Sequence, residues 1–351
     1  EADLSAFITH KSAQGFTVDV FNTGTTGTTT TAIKTFIQNR YNDLATRPEF
    51  VLLVGDVQHI PSWIGSGEGN PNTDLNYVQL AGTDKFADAF IGRFSVTTAQ
   101  ELQNALTKSI YMESYIATLA KKNIFMSSTD NYSITEGTHN YVINTHFQPA
   151  GWQNTKLYTV TYNATTQQLI DALNQNQRFA FYSGHGAETY WADGPQLTQT
   201  QVRNLINTGM YPFVYSFSCI TGSYQIAECF GETWIRTTNG GSTFYGASVN
   251  SYWDEDDILE KRLIDAMFIH DLTRVTPMFD KAKFDLATHY GSVTPTVLRY
   301  MEMYNLMGDP SMPVERQIPP DTTPPDAITD LAVGDATSNS LALNWTAPYD
   351  S

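Results

Sequence analysis

The chain has 351 residues, of which 41% are hydrophobic and 13% aromatic, and it carries 20 Lys and Arg against 36 Asp and Glu, a net charge of -16. That length holds two or three domains with a sizeable core. The charge argues against nucleic acid or an anionic membrane as partner, because both are bound through basic patches. No apolar run approaches the ~20 residues of a membrane-spanning helix, so a soluble protein without membrane insertion is expected. The opening Glu1-Ala2-Asp3 does not read as a signal peptide.

In chain order, Ile33, Phe36, Ile37, Tyr41 and Leu44 fall at helical spacing over 30–44, after a Thr/Gly-rich loop at 23–31. Phe50–Val54 predicts a continuous apolar strand ending at Gly55-Asp56, and residues 86–92 predict another. A long helix is expected over 98–120, with Thr97 and Thr98 as caps and Glu101 behind them. Strand 123–127, helix 136–147, strand 156–161, helix 165–174 and strand 179–183 follow. Helix 198–207, strand 213–217, helix 230–238 and strand 242–247 continue the series. Alternation of this kind implies a three-layer α/β/α fold around a mainly parallel sheet. Functional side chains in such sheets collect beyond the carboxyl ends of strands, where Asp56, His185, Cys219 and the loop after Ala247 are expected.

After Pro313 the texture changes. Residues 317–325, QIPPDTTPP, read as a stiff linker, and in 326–351 Leu341, Leu343 and Trp345 alternate as on a strand. The expected division is an N-terminal α/β subdomain at 1–120, a second α/β subdomain holding His185 and Cys219 at 121–315, a linker at 316–325, and the start of a truncated β-sandwich module of fibronectin III or immunoglobulin type at 326–351.

Two segments carry the chemistry. AFYSGHG (180–186) and FVYSFSC (213–219) are apolar strands that run out at an imidazole, His185, and a thiol, Cys219. A thiolate is the attacking form of cysteine, and a free thiol has a pKa near 8.5, so a positioned base beside it suits covalent catalysis. With two cysteines a stapled framework is excluded; one nucleophile and one small core residue, Cys229, is the economical reading.

The order His then Cys, the Ser-Gly-His-Gly turn and the blocks LLVGD (52–56), FIGRFS (90–95), GHGAETYWAD (184–193), CFGE (229–232), NSYWDED (250–256) and GDPSMPV (308–314) resemble the gingipain family of the caspase-like clan of cysteine peptidases. The resemblance runs from residue 1 to about 315, is nearest to lysine-specific members, and implies a caspase-like fold with mainly parallel sheets in two tandem subdomains. It implies Cys219 as nucleophile, His185 as general base and acid, Asp130 as the carboxylate that orients the ring, and the N–H groups of Cys219 and Gly186 as an oxyanion hole. Glycine at 186 is explained at this stage by the approach of a substrate carbonyl. The resemblance also implies a basic residue before the scissile bond, with Asp256 meeting a lysine ammonium, Trp253 along its stem and Ser183 supplying an oxygen. Arginine ranks second, because the loop 131–137 offers only Glu136.

A structural Ca2+ is likewise implied, held by Asp84, Asp88, the Phe86 carbonyl and Asp56, oxygen donors of the kind this hard ion prefers. No organic cofactor is expected, and the remaining histidines show no zinc spacing, His139 and His146 being placed on the face of one helix. In the family a helix like residues 1–15 follows a first strand, which suits a processed N-terminus in a secreted zymogen, with a cleaved N-terminal segment or prodomain as partner. A catalytically silent adhesion scaffold and a transpeptidase using the same acyl-enzyme are the alternatives.

Overall fold

The computed structural model describes residues 2–315, 329–336 and 341–345. The expected linker at 316–325 and the rest of 326–351 lie outside the described residues. Eight strands form one sheet: β1 (Phe50–Val54), β2 (Phe90–Phe94), β3 (Lys122–Ser127), β4 (Gln153–Tyr158), β5 (Phe179–Ser183), β6 (Phe213–Phe217), β7 (Thr243–Ala247) and β8 (Tyr304–Met307). The longer helices are α1 (Ser5–Ala13), α2 (Thr30–Asn42), α3 (Ala99–Tyr115), α4 (Tyr132–Val142), α5 (Thr166–Leu173), α6 (Phe230–Arg236), α7 (Trp253–Phe268), α8 (Val275–His289) and α9 (Pro295–Met303).

The strands lie in the order β1-β2-β8-β7-β6-β5-β3-β4. All pairs are parallel except β7 with β8, so two parallel blocks run in opposite directions and fuse at that one antiparallel seam. Every residue of β5, β6 and β7 is buried. Their side chains divide by alternate positions, as strand geometry requires. Phe125, Phe179, Phe181 and Tyr215 join one core, and Ile124, Met126, Ala180, Tyr182 and Val214 join the other. Helices on both faces create those two cores, which is why the strands read as unbroken apolar runs.

Local signals set most boundaries. The Thr98 hydroxyl accepts from Glu101 N, and the Glu101 carboxylate accepts in return from Thr97 N, so α3 starts where the caps predict. It stops at Tyr115 rather than 120. The strand expected at 86–92 begins only at Phe90, because Asp88 turns its carboxylate onto Leu80 N and Ala81 N and ends a turn there. Helix α4 starts at Tyr132, four residues before its expected start, and runs into a π-helical turn at Ile143–Phe147.

Residues 1–315 pack as one unit, and the sheet continues across the expected division at 120. Strand β8, for which the sequence reading made no provision, joins the blocks by pairing with both β2 and β7. A second unit begins at Arg316; its described residues form an antiparallel hairpin, Ala332–Ala336 with Leu341–Asn344.

Candidate active site

The site follows from strand register. In the parallel ladder Ser183 of β5 stands opposite Phe217 of β6, and Ser127 of β3 stands opposite Ser183. His185 and Cys219 therefore leave neighbouring strands two residues beyond one registered pair, and Asp130 leaves the next strand three residues beyond its own. The ladder continues past the strand ends, with Gly184 N donating to Phe217 O at 3.2 Å and Ser128 N to Ser183 O at 3.1 Å. His185, Cys219 and Asp130 thus come from strand ends at one rim.

His185 Nε2 lies 3.1 Å from Asp130 Oδ2. Both side chains are open to solvent, at 47% and 61% exposure, so the pair is accessible to a substrate. The indole of Trp253, at the first position of α7, stands edge-on to the His185 ring, with centroids 5.1 Å apart and an interplanar angle of 79°. Trp253 was expected along a substrate side chain; in the structure it walls one side of the imidazole.

Cys219 is half-buried, and its Sγ lies 3.8 Å from the Ser251 carbonyl oxygen. Directly after it, Ile220 has φ +47°, a left-handed conformation that a β-branched residue adopts only under constraint, at a cost of about 1–3 kcal/mol. Its N–H donates to Val249 O at 3.2 Å, and Gly222 N donates to Ala247 O at 2.8 Å, so the turn that presents the thiol is pinned to the end of β7. Cys229 is fully buried, and burial pushes its thiol well above the ordinary range, consistent with the small core residue expected there.

The acidic run at the start of α7 is sorted by helical geometry. Asp254 is exposed, Glu255 accepts from Tyr290 Oη, and Asp257 pairs with Lys261 and Thr138. Asp256 alone turns inward, buried, and accepts from Tyr304 Oη at 2.6 Å. Burial raises its pKa to about 7, against hydrogen bonds from Ser251, Tyr304 and Tyr300 that lower it. Ser251 thereby touches both the thiol, through its carbonyl, and Asp256, through its hydroxyl. Ser183 is buried at the end of β5. Glu136 sits in α4 rather than in a loop, and its carboxylate accepts from Thr161 Oγ1.

Several supporting groups carried no sequence signal. Tyr300 of α9 donates to Tyr252 O at 2.9 Å and accepts from Tyr252 N at 2.6 Å, and Arg299 reaches the Asn250 carbonyl and Tyr252 Oη. Together they brace the 250–252 loop that contacts the thiol. Tyr300 and Tyr304 lie some eighty residues after Cys219, and only the antiparallel insertion of β8 brings them to this rim.

The expected calcium set is not assembled. Asp56 follows β1 and the 83–88 loop precedes β2; in a parallel pair the end of one strand and the start of the next lie at opposite rims. Asp56 is buried instead against Arg236, with Oδ2 3.1 Å from the guanidinium, and accepts from Val57 N. Because the two strand blocks run oppositely, it also lies at the rim opposite His185 and Cys219, which corrects its expected grouping with them. Asp84 accepts from Phe86 N. Among the described residues no three His, Cys, Asp or Glu side chains group as a metal site. The four residues do not fit one ion, and no catalytic step is assigned to calcium. His139 and His146 are not surface residues either: both are buried, paired with Glu260 at 2.7 Å and Asp265 at 2.8 Å of α7.

A thiol and a carboxylate-bound imidazole at neighbouring tips of a caspase-like sheet define a cysteine peptidase. The chain belongs to peptidase family C25, whose family model matches residues 1–315. It is 30% identical to Lys-gingipain of Porphyromonas gingivalis over 91% of this chain and 20% of that protein, so it spans about a fifth of that relative's length. It is 28% identical to gingipain R2 of the same species over 72% of this chain and 36% of that one. Among solved structures it matches the Arg-specific cysteine proteinase gingipain R with a TM-score of 0.79 at 22% identity, covering 89% of this chain and 75% of that one. A structure described as a protease matches with a TM-score of 0.81 at 26% identity, covering 95% and 81%.

Proposed function

We propose that this chain is the catalytic region of a secreted cysteine endopeptidase that cleaves proteins and peptides after basic residues, lysine before arginine. The observation that carries the proposal is the placement of His185 and Cys219 two residues beyond the registered pair Ser183 and Phe217, with Asp130 on the imidazole.

Asp130 accepts from Nε2 of His185, which fixes the tautomer and leaves Nδ1 to exchange a proton with the thiol. His185 takes the Cys219 proton, and the thiolate adds to the scissile carbonyl carbon. The oxyanion is received by the N–H groups of Cys219 and Gly186. As the tetrahedral species collapses, the C–N bond breaks and His185 returns its proton to the leaving amine. Water, deprotonated by the same imidazole, then releases the acid from the thioester.

Lysine preference rests on Asp256, the one inward-facing carboxylate of the 254–257 run, and on the engagement of Glu136 elsewhere. An ammonium brought to Asp256 would favour its ionised form and offset the burial that opposes it. Trp253 would flank the lysine stem while walling His185. The similarity to Lys-gingipain supports the same order of preference. Extracellular location and control by a prodomain rest on relatives: one matching structure is a complex of pro- and mature domains of a gingipain from Porphyromonas gingivalis. A structural calcium remains part of the proposal only for the 83–88 loop, where Asp84 Oδ1 accepts from Phe86 N and Asp88 Oδ2 accepts from Leu80 N and Ala81 N.

Acyloxymethyl ketones carrying Lys, Arg, Asn or Asp test the reading in one experiment. The expected result is a single adduct on Cys219, fastest with Lys and next with Arg. Labelling of no cysteine, or fastest labelling by the Asp or Asn reagent, would overturn it. Product masses in the presence of an added amine separate hydrolysis from transpeptidation.

A further inference from the structure

Asp193 closes the block GHGAETYWAD, and the catalytic roles above do not use it. Its Oδ2 accepts from Thr129 N at 2.7 Å and from Asp130 N at 3.1 Å. Its Oδ1 accepts from Thr129 Oγ1 at 2.7 Å and from Gly194 N at 2.7 Å. Four donors thus converge on one carboxylate, three of them from the turn that carries Asp130. Partial burial pushes this carboxyl up, but those hydrogen bonds outweigh it and hold it below the usual carboxylate range.

The backbone of Asp193 is tied to the other half of the pair. Tyr182 Oη donates to His185 O at 2.6 Å and to Asp193 O at 2.9 Å, and Ala192 N donates to His185 O at 2.9 Å. Next to it Gly194 has φ +70°, and a Cβ there would lie 2.3 Å from Ser127 O at the end of β3. Only glycine lets the chain press this closely on the strand that launches Asp130. One residue therefore straps the His185 turn to the Asp130 turn, main chain on one side and side chain on the other.

We propose that Asp193 is a positioning residue for catalysis: it holds the 129–130 turn so that the exposed Asp130 carboxylate stays on His185. The need is physical. Asp130 and His185 are about half open to solvent, so water competes for both, and an exposed ion pair by itself fixes geometry weakly. Anchoring the Asp130 main chain removes the freedom that the side-chain contact cannot. Ser128 Oγ, donating to Asp130 O at 2.5 Å, and the left-handed Asn131, at φ +49°, complete the turn, and Ser128 N holds its start to Ser183 O at the end of β5. Asp193 joins the turn to the segment beyond His185.

This inference rests on the assignment of Cys219, His185 and Asp130, and the test separates the two. Turnover of a lysyl peptide is measured for Asp193→Asn, Asp130→Ala and the double variant. Asp193→Asn keeps the size of the group but removes its charge and one pair of acceptor sites. The expected result is a fall in kcat on the order of 10- to 100-fold with little change in KM, as misplacement of a catalytic group produces. The pH profile should move toward that of Asp130→Ala, and adding Asp193→Asn to Asp130→Ala should cost almost nothing further. An equal loss in both backgrounds, or an unchanged kcat and pH profile in the single variant, would overturn the role of Asp193. Full activity in Cys219→Ala would instead overturn the site assignment beneath it. If Asp193→Asn fails to fold, Thr129→Val decides, since it removes only the 2.7 Å hydroxyl bond. A smaller kcat loss that disappears with Asp130→Ala supports the strap, and one that persists overturns it.

Discussion

A Cβ placed on Gly186 would lie 2.4 Å from the carbonyl oxygen of Cys219, and 2.8 Å from both Ser218 Oγ and Thr221 Cγ2. The sequence reading reserved this glycine for an incoming substrate carbonyl. In the structure the constraint exists before any substrate arrives: the turns that present base and nucleophile touch each other through main chain at this point. Gly186→Ala must move one turn away from the other and carries with it the N–H proposed as an oxyanion donor. Turnover is expected to fall about 100-fold or more, the range for loss of one such donor. Steady-state kinetics on a lysyl peptide check this, and an unaltered kcat/KM would remove Gly186 from the site.

The two cysteines should differ sharply toward alkylation. Cys219 is half-buried at the rim, whereas Cys229 is fully buried at the N-cap of α6, where burial raises its thiol pKa and suppresses the thiolate. Iodoacetamide at neutral pH is expected to add one label, on Cys219, to the native protein and two in urea. Mass spectrometry of native protein carrying a label on Cys229 would contradict the burial argument.

Asp256 makes the pH dependence specific. Its pKa is raised to about 7, so below that pH the carboxyl is protonated and offers no charge to the lysine side chain of the proposed substrate. KM for lysyl peptides is therefore expected to rise as pH falls from 8 to 6, with a weaker rise for uncharged side chains. The stability sign follows from the same shift. The folded state holds this proton up to about pH 7 while the unfolded chain releases it near 4, so its ionisation costs stability as pH rises through that window, on the order of 4 kcal/mol at most. Asp256→Asn should raise Tm at pH 8 by a few degrees while lowering turnover of lysyl peptides sharply. A Tm that falls at pH 8 would show that the hydrogen bond from Tyr304 outweighs the buried charge.

Asp56 belongs to a buried charge cluster. Arg236 meets Asp56 at 3.1 Å and Glu232 at 2.6 Å, and Glu232 also accepts from Ser95 Oγ and from Cys229 N. Asp56→Ala leaves Arg236 paired with Glu232 and within 3.9 Å of Glu101, so the expected destabilisation is about 2 kcal/mol, below the roughly 3–5 kcal/mol for a fully orphaned buried charge. Urea unfolding should give the same loss with calcium and with a chelator. A loss seen only in calcium would return Asp56 to a metal site.

The elements themselves were written in the sequence wherever a strand is covered on both faces. Phe50–Val54, Phe179–Ser183 and Phe213–Phe217 have the predicted bounds, because mainly apolar runs of five residues bounded by turn residues have few other uses. Strand 90–94 was misplaced by four residues, since the turn before it is set by the Asp88 carboxylate rather than by hydrophobicity. The four-residue strand at 304–307 follows directly on a helix, so no periodicity announced it.

The sequence by itself singled out the groups on which the proposed chemistry rests: one imidazole and one thiol, each at the end of an apolar strand, within the stretch that matches family C25. It could not determine which strands are neighbours or which way they run, because pairing is set by contacts between residues far apart in the chain. That order brought Asp130 to His185, exiled Asp56 to the opposite rim, turned Asp256 inward onto Tyr304, and let Asp193 join two turns that are 55 residues apart in sequence.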